Sequence, residues 1–195
     1  MTEETLQQAR SEVVRSRVVD GAVALLRAGQ PVTFKDVARE ADVPERTIYR
    51  HFPTRRDLLA AVFDWANTQI GFDGPRPTTE AELVALVRRA FSGFDDLAPV
   101  VRQMLIEPDS LGARVADVAE RRRAAIALVE HEAPGLDRTT TERVAAVVQI
   151  LGLASTWQSL TQFWDLDGHD AGDTVALAIE LLLEAARTRT APPTT

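Results

Sequence analysis

A run of five residues that begins at Arg46 carries two guanidinium groups, a hydroxyl and a phenol. Guanidinium groups form paired hydrogen bonds with guanine edges and with phosphates, and hydroxyls bond to either partner. Ile48 and Phe52 are four residues apart, so on a helix both would face inward and the donors outward. The pattern therefore predicts a short helix whose outer face reads base edges in a DNA major groove. The outward donors are Arg46, Thr47, Tyr49 and Arg50.

A second short helix is predicted just before this one, and its inner face is Phe34, Val37, Ala38 and Ala41. The connecting turn, 42–44, has only three residues, and the small Ala38 lies where the helices would cross. Two short helices joined so tightly are the helix-turn-helix arrangement. Thr54, Arg55 and Arg56 begin the next helix, where free backbone N–H groups and cations suit a DNA phosphate. The alternative is a helical hairpin with a solvated charged face.

The same region carries a dense motif, Ala38-x-x-Ala41-x-Val43-x-x-x-Thr47-Ile48-Tyr49-x-His51-Phe52-x-x-Arg55-x-x-Leu58-Leu59. This motif closely resembles the DNA-binding signature of the tetracycline-repressor (TetR) family, and Gly29 with the helix before it fits as well. The resemblance implies an all-α homodimer with a divergent C-terminal ligand-binding domain, usually a repressor released by its ligand. Carried over by position, the residues that would contact phosphate or bases are Thr33, Thr47, Tyr49, His51 and Arg55.

Three positions depart from the family's pattern. Asp42 stands where the family usually has Gly, at a helix end that favours the left-handed conformation, which Asp tolerates better than most residues. Pro44 replaces the usual Ser N-cap and fits a first helical position better. Arg46 replaces a Gly that commonly lies against DNA, so we expect it to change the local contacts.

Charge is distributed unevenly along the chain. The 195 residues carry a net charge of −7, but residues 1–56 hold ten Lys and Arg against eight Asp and Glu, a balance of +2. The remaining residues therefore carry −9. A basic end on an acidic body suggests that this end meets phosphate.

Residue types exclude several kinds of chemistry. The chain has no cysteine, which excludes disulfides, zinc–thiolate sites and thiol nucleophiles. His131 and His169 have no nucleophile at a readable spacing, and neither a Gly-rich phosphate loop nor an HExxH motif is present, so we expect no catalysis and no cofactor. The acidic start and the lack of an apolar run of about 20 residues predict a cytoplasmic protein with no membrane partner.

Helical periodicity predicts an all-α fold. The N-terminal three-helix helix-turn-helix DNA-binding domain would span 1–66, a helical ligand-binding and dimerisation domain 67–187, and a disordered tail 188–195. Thr followed three residues later by an acid predicts four helix starts, at Thr33, Thr54, Thr79 and Thr139. About nine helices are predicted, at 10–27, 33–41, 45–51, 54–70, 79–95, 98–106, 110–132, 140–164 and 173–187.

The segment 173–187 is apolar on two faces, which indicates burial on two sides, either in a plain core or against a second subunit. The symmetry of an operator-binding dimer and the resemblance to the TetR family favour the second subunit. One stripe is Val175, Ile179, Leu182 and Ala186, and the other is Leu177, Leu181 and Ala185. Segment 140–164 adds small residues that allow close helix approach, as a dimer seam or as a cavity wall. These are Ala145, Gln149, Gly152, Thr156 and Ser159.

A ligand pocket is predicted among the helices of the C-terminal domain, although aromatic residues at helical spacing also fit a plain core. Its candidates are Phe91, Phe94, Met104, Arg122, Ile126, Trp157 and Phe163, with Trp164 beside them. Arg122 interrupts an apolar seam that runs from Leu111 to Val129. Arg122 could form a salt bridge with a neighbouring acidic residue, or it could bind an anionic ligand. The same two interpretations apply to His131.

The acidic loop from Asp165 to Asp173 invites a metal interpretation, but it does not fit the EF-hand template. Position six is Asp170 instead of Gly, and position twelve is Ala176 instead of Glu. A polar loop in which Asp173 caps a helix is favoured, with no metal. The sequence thus predicts a homodimeric repressor released from palindromic DNA by a small apolar or amphipathic ligand. The alternatives are an activator, a regulator without effector, and a helical adaptor that has lost DNA binding.

Overall fold

Ten α-helices and one short 3₁₀ turn make up the regular structure of the residues that the computed structural model describes, 3–110 and 118–190. The predicted all-α fold is confirmed for these residues. The helices are α1 (Glu3–Arg27), α2 (Phe34–Ala41), α3 (Glu45–His51), α4 (Arg55–Ile70), α5 (Glu80–Asp96), α6 (Ala98–Ile106), α7 (Val118–Glu132), α8 (Arg138–Leu151), α9 (Ala154–Trp164) and α10 (Gly168–Thr190), and the turn is Pro108–Ser110.

Side-chain caps explain where several helices begin. Thr33 accepts a hydrogen bond from the Asp36 backbone N–H at 3.1 Å, and Thr79 caps α5 in the same way. Thr54 and Asp57 cap each other, because each side chain accepts from the other residue's backbone N–H. These three predicted starts are confirmed. The start predicted at Thr139 is wrong: Asp137 caps α8 instead, accepting from the Thr140 N–H at 3.0 Å.

The first compact unit comprises the described residues within Met1–Ala66 and Ala98–Val115. Its core joins α1, the α2–α3 pair, α4 and α6, with Ile48 and Leu58 fully buried. α6 contributes Val100 and Met104 to this core, so it belongs to the same unit as the helix-turn-helix. The predicted domain boundary at residue 66 had instead placed α6 in the C-terminal domain.

The turn between α2 and α3 tolerates its unusual residues. Asp42 adopts the left-handed conformation at φ 51°, as the resemblance implied for this position. Arg17 of α1 donates to the carbonyl oxygen of Ala41 at 2.8 Å, so one of the last carbonyls of α2 has a cationic partner. Pro44 is the N-cap of α3 and makes no side-chain capping bond.

The second compact unit comprises the described residues within Asn67–Leu97 and Ala116–Thr195, and α5 packs along α10 at its centre. Two glycines one turn apart on α10 permit this packing. A Cβ on Gly172 would lie 3.2 Å from the Arg88 Cα, and one on Gly168 would lie 2.5 Å from the Phe91 carbonyl oxygen. Asp95 of α5 accepts from the Gly168 N–H at 2.9 Å and from the Trp157 indole at 3.3 Å. α5 therefore fixes the start of α10.

The segment predicted as one helix over 140–164 is two helices. α8 ends at Leu151, α9 begins at Ala154, and the two are bent by 61°. The Thr156 hydroxyl donates to the Ile150 carbonyl at 2.7 Å across the break. The predicted small-residue stripe from Ala145 to Ser159 crosses this bend, so it does not form one helix face.

Three further boundaries differ from the prediction. α1 starts at Glu3 and α10 at Gly168, each earlier than predicted, and α10 runs to Thr190, so residues 188–190 are helical. The rest of the predicted disordered tail, 191–195, lies outside the described residues. No single described helix has the length and hydropathy to cross a membrane, and only α8 and α9 taken together reach that composition.

Replacing Gly168 by Ala should lower the free energy of unfolding by about 1–3 kcal/mol, because the new methyl group would overlap the α5 backbone. Gly74→Ala is the matched control, since a Cβ there meets nothing within 4 Å. Its effect should stay within about 0.5 kcal/mol. Urea denaturation followed by circular dichroism measures both, and equal stability of the two variants would contradict this packing.

Candidate DNA-binding site

The recognition surface predicted on α3 has its donors facing solvent. Ile48 and Phe52 are 0% and 1% exposed and hold the inner face, whereas Tyr49 is 48% exposed. Arg46 and Arg50 are exposed and Thr47 is half-buried. The helix has only seven residues, so its donors lie close together on one short outward surface.

Neighbouring side chains hold α3 in place. The Tyr49 ring meets the Phe34 ring edge-on, with centroids 4.4 Å apart, which fixes the phenol against α2. Arg15 of α1 lies over the Phe52 ring, 4.6 Å from its centroid. Thr33 is exposed at the N-terminus of α2, where its hydroxyl also bonds the Asp36 carboxylate. Arg50 is exposed on α3.

His51 ends α3 and is half-buried. Its Nε2 is buried and has no hydrogen-bond partner among the residues that the structure describes. Burial lowers the pKa of His51, and the nearby charges of Arg50 and Arg15 lower it further. The imidazole is therefore neutral at neutral pH. The contact with DNA that the resemblance implied for His51 stays a prediction.

Arg55 has protein partners on almost every side of its guanidinium group. It pairs with Glu107 through two hydrogen bonds of 2.6 and 2.8 Å, and it donates to Asp109 at 2.7 Å. Its Nε donates to the Val32 carbonyl at 2.7 Å. The phosphate contact predicted for Arg55 stays a prediction, and this pairing opposes it. The neighbouring Arg56 is exposed.

Glu107→Gln should make the protein less sensitive to acid. The Arg55 hydrogen bonds hold the pKa of the Glu107 carboxyl below its ordinary value of 4.5. A lowered folded-state pKa stabilises the fold above about pH 4.5, and this contribution is lost as the pH falls through the lowered value. We expect the variant to be less stable by about 1–2 kcal/mol at pH 7, with the difference shrinking by pH 3.

Urea denaturation at pH 7, 4 and 3 measures this difference. The control is Glu40→Gln, which removes an exposed carboxylate of α2. Its change in unfolding free energy at each pH is the baseline for removing an exposed carboxylate. If the difference in unfolding free energy between Glu107→Gln and the wild type were the same at pH 7 and pH 3, the Arg55–Glu107 pair would contribute nothing to stability.

The predicted ligand residues fall into separate groups. Phe91, Phe94 and Trp157 meet in the second unit, with ring centroids 5.7 and 5.8 Å apart, and all three are buried. They fill this part of the core. Met104 belongs to the core of the first unit.

The other ligand candidates lie nearer the surface. Arg122 is exposed and lies 3.9 Å from the Glu142 carboxylate, which favours the salt-bridge interpretation. Ile126 is half-buried, and Phe163 is 80% exposed. Leu111 and Val115, which complete the seam around Arg122, lie outside the described residues. Within the second unit, the structure therefore groups Phe91, Phe94 and Trp157 in the core and leaves Arg122 and Phe163 exposed.

The described residues form surface grooves, of which two bear on function. A groove of about 600 Å³ joins the first turns of α1 to Arg50 of α3. Another of about 430 Å³ lies in the second unit, between the loop 71–78 and the α5 residues Glu82, Leu86 and Arg89. Sequence reasoning found neither groove, because helical periodicity does not show which exposed faces lie side by side.

The acidic loop before α10 has structural roles. Asp165 ends α9 at φ 55°, and Asp167 caps α10 by accepting from the Asp170 N–H at 2.8 Å. The prediction that Asp173 is the cap is wrong, since this residue lies within α10 and pairs with Arg88 at 2.6 Å. No group of three or more metal-ligating side chains occurs among the described residues.

Large apolar side chains of α8, α9 and α10 are exposed although α8 and α9 both pack on α10. Phe163 and Trp164 at the end of α9 are 80% and 74% exposed. On α10, Leu177 and Leu181 face solvent while Leu182 is only half-buried. Of the two predicted stripes, the one through Leu181 is therefore the unpartnered face. The remaining exposed members are Val147, Ile150 and Leu153.

A helix-turn-helix with an outward donor surface on its second helix defines a DNA-binding module of transcriptional regulators. Residues 19–62 match the family model described as bacterial regulatory proteins, tetR family. The chain is also 30% identical over 151 residues to the HTH-type transcriptional repressor LfrR of Mycolicibacterium smegmatis, which covers 73% of the chain and 74% of that relative. The chain belongs to the TetR family and is a DNA-binding transcriptional regulator.

Proposed function

We propose that the protein is a cytoplasmic homodimeric repressor that binds a near-palindromic operator and performs no catalytic step. The observation that carries this proposal is the outward surface of α3, where Arg46, Tyr49 and Arg50 are exposed on a helix short enough for a major groove. Repression is proposed because the relative LfrR is named as a repressor. In a symmetric dimer, two such helices enter successive major grooves about 34–36 Å apart.

Genomic fragments captured by the purified protein test the proposal. We expect enrichment of an intergenic near-palindrome, bound at least about 10³-fold more tightly than scrambled DNA. A reporter gene placed behind this site should be expressed more strongly when the regulator is deleted. Lower expression after deletion would make the protein an activator. Equal binding to the near-palindrome and to scrambled DNA would contradict the proposal of a specific operator.

We further propose that a small apolar or amphipathic molecule releases the operator by binding the second unit. The groove beside α5 supports this, because its volume of about 430 Å³ falls within the range of ligand sites and it combines Leu86 with the cationic Arg89. A ligand shifts DNA binding only if it favours one of two conformations. The packed core of Phe91, Phe94 and Trp157 favours the second candidate, a regulator without an effector.

The two candidates differ in how an operator complex responds to a library of amphipathic compounds. A compound that releases the wild-type protein from the operator should not release the Ala85→Trp variant. Ala85 lines the groove, and a larger side chain there would fill it. Ala127→Trp, on an exposed position of α7, should respond like the wild type. If the compound released the Ala85→Trp variant as fully as the wild type, the ligand would bind outside this groove.

A further inference from the structure

The first turns of α1 continue the donor surface of α3. The groove between them is lined by Gln7, Gln8, Arg10, Ser11 and Val14 of α1 and by Arg50 of α3. These lining residues include two guanidinium groups and no carboxylate. The groove therefore matches an anionic partner with several hydrogen-bond acceptors.

The positions on α1 share one face. Gln7, Arg10, Ser11 and Val14 follow the i, i+3, i+4, i+7 spacing, so their side chains point toward α3 together. Val14 packs against the core of the first unit and anchors this face. One turn further, Arg17 is already engaged by the end of α2. Arg10, by contrast, lines an open groove.

We propose that the α1 side of this groove seats the sugar–phosphate backbone of the operator, with Arg10 paired to a phosphate and Gln7 and Ser11 donating hydrogen bonds, whereas Arg50 on the α3 side reads a base edge. The inference rests on the proposed function, because it requires that Arg50 faces DNA. Residues 7 to 14 span about 10 Å along the helix, so the contact extends beyond the part read by α3. Phosphate contacts position a protein without carrying base information, so Arg10 contributes affinity to any DNA sequence.

Salt titration of DNA binding tests the role of Arg10. Arg10→Ala should lower the slope of log affinity against log salt by about 0.9 per subunit, or about 1.8 per dimer. Affinity should fall by the same factor on operator and on scrambled DNA. Arg10→Lys keeps the charge and should keep the slope. The control Arg138→Ala, which removes an exposed arginine of α8, should not change it.

The outcomes separate this inference from the function on which it rests. If the wild type binds its operator and Arg10→Ala has the same salt slope as the wild type, the groove contact is overturned and the proposed function stands. A wild type that binds no DNA overturns both.

Because the chain has no cysteine, a single introduced thiol reports on the groove independently of affinity. Gln7→Cys places a thiol in the groove, and Ala9→Cys places one on the far side of the same exposed helix. Operator DNA should slow maleimide labelling of the Gln7→Cys variant and leave the Ala9→Cys variant unaffected. Equal labelling rates with and without operator at both positions would overturn the proposal.

Discussion

Leu181→Asp should turn the proposed dimer into a monomer. Leu181 is 57% exposed on α10, in a stripe with Leu177 that nothing in the described chain covers. Exposed apolar stripes of this kind mark interaction surfaces, and a symmetric dimer covers the same stripe on both subunits. A stable interface would bury more than about 1,200 Å² in total. A carboxylate at its centre would lose hydration without gaining a partner.

Loss of the dimer should also remove most operator binding. Two linked recognition helices bind a palindrome with an avidity about 10²–10⁴-fold above that of one helix, because the second binding event is intramolecular. We expect Leu181→Asp to lose a factor in this range on the operator and far less on a single half-site. Sedimentation velocity at micromolar concentration and fluorescence anisotropy measure the two effects.

The control is Ala127→Asp, which adds the same charge on an exposed position of α7. It should stay dimeric and keep full operator affinity, and both variants should keep the helical circular dichroism of the wild type. A dimeric Leu181→Asp, or a monomeric wild type, would contradict the assignment of this stripe to the interface.

Local spacing predicted the features that depend on a few neighbouring residues. The buried and exposed faces of α3 follow from the helical period, because Ile48 and Phe52 fix the phase of a seven-residue helix. The caps at Thr33 and Thr54 follow from a side chain and a backbone N–H three residues apart. In both cases the partners lie within one helical turn, so the sequence itself brings them together.

Contacts between distant residues could not be predicted in this way. Arg55 and Glu107 are 52 positions apart, and Asp95 and Trp157 are 62 apart, so no spacing rule pairs them. The bend before α9 has no proline and no side-chain cap to signal it.

The sequence also could not show which of the two apolar stripes of α10 is buried. Both stripes have the same period, so hydrophobicity alone cannot rank them. The packing of α5 against Gly168 and Gly172 places one stripe inside and leaves the other exposed.

Arg50→Ala should reduce sequence discrimination more than it reduces affinity for DNA in general. Arg50 lies on the exposed side of α3, where a guanidinium group reaches the O6 and N7 atoms of guanine. Losing one such paired contact costs about 1–3 kcal/mol of discrimination at one position in each half-site. Binding to scrambled DNA should change little, because no phosphate contact is removed.

Arg56→Ala provides the matched comparison, since Arg56 is also exposed and begins the helix after α3. A phosphate contact there predicts an equal loss of affinity on operator and scrambled DNA, with a salt slope lower by about 0.9 per subunit. Arg50→Ala should keep the slope and lose affinity mainly on the operator. Anisotropy titrations of both variants on both DNAs at several salt concentrations separate these outcomes. If Arg50→Ala lost affinity equally on the two DNAs, Arg50 would be a phosphate contact, and base readout by α3 would fall to Arg46, Thr47 and Tyr49.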